Sequence, residues 1–133
     1  MPLKLLANSI EVGIVTTQIE PMMEFYQDLL GLTLQGEMAF PGGHMQRFSV
    51  GDNIIKLVTY DTPPAHSATM GGTTEANGYR YISLVISNLL EVIDQLQAAG
   101  YTPYSEITPF AEGVSYAFIQ DPDGNALELI GIG

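Results

Sequence analysis

Cysteine and tryptophan are absent from this 133-residue chain, and it carries only four cations and two histidines. Without cysteine there is no disulfide scaffold, no thiolate metal site and no thiol nucleophile. The four cations (Lys4, Arg47, Lys56 and Arg80) stand against 15 acidic residues, for a net charge of −11. Such a surface repels phosphate backbones and anionic bilayers, so neither nucleic acid nor membrane is an expected partner. No apolar run approaches the length of a membrane span, and residues 1–20 lack a basic stretch followed by a long hydrophobic one. A cytoplasmic protein is therefore expected. There is also no nucleophile elbow, no phosphate-cradling glycine loop and no dinucleotide fingerprint. What remains open is a neutral or cationic small-molecule ligand.

What the chain does have is a repeat. The strand-like Glu11–Thr17 and the helix-like run to Gly31 are echoed, about 70 residues later, by Tyr81–Ser87 and a helix-like run to Gly100. Asn53–Val58 returns as Asn125–Ile130. A fixed-period echo sets architecture before any single residue is interpreted. Alternation over residues 10–17 predicts a strand, Thr17–Glu20 a capping box, and Met22, Phe25, Tyr26 and Leu29 a helix stripe. Residues 33–40, 44–50 and 53–60 then read as strands. The second copy predicts a strand from Tyr81, a capping box at Asn88–Glu91, a helix ending at Gly100, and strands near 103–108, 114–120 and 126–132. Each copy is β-α-β-β-β. The prediction is an α+β fold, one domain over 1–133: two tandem modules (about 9–60 and 79–133) forming a curved mixed sheet, an open cup with helices on its outer face. The 61–78 segment connects them, and loops of that length often serve as lids or linkers.

Strand alternation divides the side chains between two faces. Val12, Ile14, Ile55, Leu57, Ile82, Leu84, Leu127 and Leu129 suit the helix-covered face. The opposite face takes Glu11, Gly13 and Val15; Ile54, Lys56 and Val58; Tyr81, Ser83 and Val85; Ala126, Glu128 and Ile130. Four of these, Glu11, Lys56, Tyr81 and Glu128, hold equivalent first- and last-strand positions, which pseudo-twofold symmetry would bring together. A few polar groups on a concave apolar surface are the usual form of a small-molecule site. Arg47, His44, Tyr116 and Ser83 are candidate substrate-binding neighbours. Loop and edge positions make an exposed His44 or His66, and a surface Arg47, the plain alternatives.

The doubled pattern, the segment Phe25–Leu32 and the terminal Asp121–Ile130 resemble the vicinal oxygen chelate superfamily, which includes glyoxalase I, extradiol dioxygenases and bleomycin resistance proteins. In its metal-using members the resemblance implies four ligands at the positions of Glu11, Lys56, Tyr81 and Glu128. Only Glu128 keeps the usual ligand type. A lysine ammonium has no lone pair for a cation, so no metal and no cofactor are expected. Lys56 is instead expected to act as an internal cation between two acids, one of which, Glu11 or Glu128, is expected to hold a proton near neutral pH. The resemblance also implies a homodimer, with modules pairing within a chain or across two.

Three functions follow. The first is a metal-independent lyase or isomerase, with Glu11 or Glu128 moving a proton while Lys56 and Tyr81 polarise a substrate oxygen. The second is a binding protein without turnover, of the bleomycin-resistance type, suited by its acidity to a cationic antibiotic. The third is a metal enzyme of glyoxalase or dioxygenase type, with ligands rearranged around Glu11, Glu128 and His44 or His66.

Overall fold

The computed structural model describes residues 1–133 and is of the α+β class, with two β-α-β-β-β modules in tandem. By internal contacts the chain divides into two compact units, Met1–Ala65 and His66–Gly133.

Unit one contains β1 (Glu11–Val15), α1 (Ile19–Met23, continued by π-helical turns over Glu24–Leu29), β2 (Thr33–Phe40), β3 (Gly43–Val50) and β4 (Asn53–Tyr60). Its sheet runs β1-β4-β3-β2, with β1 parallel to β4 and the other pairs antiparallel. The wider helical turns still bury Met22, Phe25 and Tyr26 against the side of the sheet carrying Phe48, Ile55 and Leu57. That apolar layer is the core of the unit.

Unit two repeats the plan with β5 (Tyr81–Ile86), α2 (Leu89–Ala98), β6 (Thr108–Ala111), β7 (Val114–Gln120) and β8 (Ala126–Gly131). The order is β5-β8-β7-β6, again with one parallel pair, β5 and β8. Leu89, Ile93 and Leu96 of α2 are buried with Ala117, Ile119, Leu127 and Leu129. Gly31 and Gly100, both at positive φ, close the two helices as their sequence positions predict.

Three local expectations fail for identifiable reasons. Neither capping box forms, because neither helix has a side-chain cap at its N-terminus. At α2 the first amides are taken by backbone: Leu89 and Leu90 donate to the carbonyls of Ile132 and Gly133, so the chain leaving β8 does the capping. Before α1, Thr16 Oγ1 accepts from the Gln18 amide at 3.1 Å. The strand predicted near 103–108 begins only at Thr108. Pro103 has no amide to donate, and Ser105 Oγ accepts from the Phe118 amide at 2.9 Å where a strand would offer a carbonyl.

Candidate functional site

In unit one a polar row crosses all four strands on the face away from the helix. Register places Lys56 of β4 beside Gly13 of β1 and beside Arg47 of β3. The Lys56 stem lies over Gly13, where even a methyl group would be only 3.6 Å from its Cε. From there Nζ donates to Glu11 Oε1 at 3.2 Å. Arg47 grips the same carboxylate with both arms of its fork, Nη1 to Oε1 at 2.8 Å and Nη2 to Oε2 at 3.1 Å. Its Nε donates to Gln35 Oε1 of β2 at 3.2 Å. Two-pronged arginine–carboxylate pairing fixes geometry as well as charge. On the same face Ile54 and Val58 flank Lys56 at 8% and 7% exposure, so the ammonium rises between two buried apolar side chains.

Arg47 above all, then Lys56, hold the Glu11 carboxyl at about 2 against an ordinary 4.5. Glu11 in return pushes the Arg47 guanidinium above its usual value. This corrects the expectation that Glu11 could hold a proton near neutral pH. Because the folded-state value is depressed, whatever the pair adds to stability is complete above about 4.5 and disappears as pH falls towards about 2. Replacing Arg47 with leucine is expected to raise the Glu11 midpoint towards 4.5, read by carbon-13 NMR titration of the carboxyl. An unmoved midpoint would mean that Arg47 does not govern this acid.

His44 does not join this row. It shares the parity of Gln46 and Phe48, opposite Thr59, which puts it on the helix-covered side, with Nδ1 3.3 Å from Gln46 Nε2. Two residues on one strand separated by an odd number lie on opposite faces, and Arg47 and His44 are three apart.

Unit two carries a different set at the equivalent positions. Glu128 of β8 pairs in register with Ser83 of β5, and Ser83 Oγ donates to Glu128 Oε1 at 2.6 Å. Phe118 of β7 is its neighbour on the other side. Tyr81 and Tyr116 meet the Phe118 ring edge-on, with centroids 5.2 and 6.0 Å away. Tyr104 lies 5.8 Å from it. Burial pushes the Tyr104 phenol up, with the Arg80 charge opposing. The start of β8 is set by Asp121, buried, whose Oδ1 accepts the amides of Asp123 and Asn125 at 2.9 Å. That turn fixes the register that presents Glu128.

Arg80 is structural: it donates to the carbonyls of Thr69 (2.8 Å) and Gly72 (2.8 and 3.2 Å), tying down the segment before β5. His66 makes no ligand-like grouping, since no three His, Asp or Glu side chains gather in a cluster suited to a metal ion. The Glu11 position does not fit a divalent cation either. Both oxygens already face cations within 3.2 Å, and their charge opposes another.

Gln35, Phe118 and Tyr104 were not among the residues singled out from sequence. Gln35 falls where the β2 register slips, between Leu34 and Gly36, which hides its facing. Phe118 could have been found by parity with Tyr116.

Comparison with known proteins gives a consistent family. Residues 9–129 match the Glyoxalase/Bleomycin resistance protein/Dioxygenase superfamily. A "Probable lactoylglutathione lyase" from Synechocystis is 27% identical over 95% of this chain and 93% of its own length. A "Lactoylglutathione lyase" from Neisseria meningitidis serogroup A is 25% identical over 96% and 90%. Among solved structures, a glyoxalase family protein from Bacillus cereus superposes with a TM-score of 0.83 at 20% identity, covering 98% of this chain and 97% of that one. At that identity the likeness is one of fold.

Proposed function

The chain belongs to the Glyoxalase/Bleomycin resistance protein/Dioxygenase superfamily, and from that premise we propose a small-molecule lyase or isomerase that works without a metal. Glu128 moves the proton, and Tyr81, on the neighbouring strand of the same unit, donates a hydrogen bond to the substrate oxygen. The observation that carries this reading is the unequal state of the two acids. Glu11 is held by two cations at about 2, so it serves to place Lys56. Glu128 is held on one oxygen only, by Ser83, and its other oxygen is available to a substrate.

A general base needs a free lone pair within reach of the proton it takes, and Glu128 meets that requirement where Glu11 does not. A fixed hydrogen-bond donor stabilises oxygen charge as it develops, a task a metal ion otherwise performs as a Lewis acid. Lactoylglutathione, taken from the names of the relatives, is the first substrate to test.

Protein dialysed exhaustively against a chelator is expected to keep its turnover of that thioester, or of its precursors, within about twofold of untreated protein. Loss of activity that returns with added divalent ion would overturn the metal-independent assignment. No turnover under either condition would discard the lyase reading itself.

A further inference from the structure

The two acids differ in more than their hydrogen bonds, and the difference points to what binds beside Glu128. Both ion pairs of the chain converge on Glu11. Of the four cations, Arg47 and Lys56 are committed there, Arg80 is spent on the Thr69 and Gly72 carbonyls, and Lys4 lies in the exposed N-terminal segment. Glu128 forms no ion pair; its one hydrogen-bond partner is a neutral hydroxyl. A carboxylate without an ion-pair partner on an accessible face is open to a ligand of opposite charge.

Its surroundings are aromatic. Phe118 is the cross-strand neighbour of Glu128, and Tyr81, Tyr116 and Tyr104 group around that ring. Tyr81 and Tyr104 remain 48% and 43% exposed, so ring surface is open to a ligand. Ring faces carry negative potential, and a substituted ammonium over them is attracted by about 0.5–2 kcal/mol according to its desolvation. A compact inorganic ion gains little here, since one carboxylate and one hydroxyl leave most of its shell to water. The equivalent face of unit one has a different character, with two cations on one acid and its rings, Phe40 and Tyr60, packed edge-on against each other.

We infer that the Glu128 face of unit two is a subsite for an organic cation, a substituted ammonium carried on a small, partly apolar molecule. This goes beyond the functional reading above and rests on it only in taking this face as ligand-bearing. Net charge of −11 adds a long-range attraction for such ligands.

The test uses an isosteric pair: choline, and 3,3-dimethylbutan-1-ol, which replaces its trimethylammonium group by a neutral tert-butyl group. Each is titrated into the intact protein and followed by NMR on the rings of Tyr81 and Tyr116. Choline is expected to bind about tenfold more tightly than the alcohol. Glu128→Gln is expected to cut that advantage to about threefold, the part the rings alone supply, while leaving the alcohol's affinity unchanged. Because glutamine can still accept from Ser83, this variant should fold; Glu91→Gln, an equal charge change on the exposed start of α2, should keep the full preference. Equal affinity for the two probes, an undiminished preference in Glu128→Gln, or an equal response to potassium chloride would each overturn the inference. Turnover without any choline preference would sink this inference alone. A choline preference without turnover would sink the lyase reading alone.

Discussion

Replacing Glu128 with glutamine is expected to lower kcat by about 100-fold or more on the substrate the protein turns over, since an amide cannot take the proton. Glutamine keeps the side chain's length and can still accept from Ser83 Oγ, so packing at this end of β8 is retained. Tyr81→Phe should lower kcat about 100-fold, the usual size of effect when one donor to developing oxygen charge is removed. The ring and its edge-on contact with Phe118 stay in place. An effect of Tyr81→Phe confined to KM would instead show that the phenol binds ground state and transition state alike. If both variants turned over at the parent rate, the chemistry would have to lie elsewhere on the chain.

The architecture was open to reading because it is written in short-range grammar. Strand alternation, helix stripes and turns recur in both copies, and six of the eight strands lie within a residue or so of their predicted bounds. The site was only partly legible. Register alone brings Lys56 beside Gly13 and Arg47, and parity brings Ser83 to Glu128, so these pairs follow once strand ends are known. The ownership of Glu11 does not. Arg47 and Lys56 are both long enough to reach several acids, and which carboxylate they share depends on side-chain conformations that spacing leaves free. His44 shows the reverse problem: near Arg47 in sequence and attractive by chemistry, it is turned to the other face by a difference of three positions. The capping box at α2 failed because a competing donor-acceptor solution came from far along the chain, with Ile132 and Gly133 supplying the carbonyls that α2 needs.

That distant solution makes Gly131 a second point of large expected effect. Gly131 is the last residue of β8 and pairs with Ile86 in the parallel ladder. A Cβ built on it would collide with the Ile86 carbonyl oxygen and crowd its backbone carbon and nitrogen. These are backbone atoms held in a sheet, so relief requires the end of β8 to move away from β5. The same movement would disturb the Ile132 amide bond to the Ile86 carbonyl, and with it the carbonyls of Ile132 and Gly133 that receive the first α2 amides. Overpacking of a fixed site ordinarily costs about 1–3 kcal/mol, and losing a helix cap adds about 1 kcal/mol. Gly131→Ala is therefore expected to destabilise the protein by about 3 kcal/mol, lowering Tm by roughly 10 °C. Gly36→Ala serves as the comparison, since nothing lies within 4 Å of its added methyl, and its Tm should stay within about 2 °C. Parallel calorimetric scans of the two variants decide the matter: similar Tm values would mean that the β8 terminus yields freely and that the helix cap it provides is dispensable.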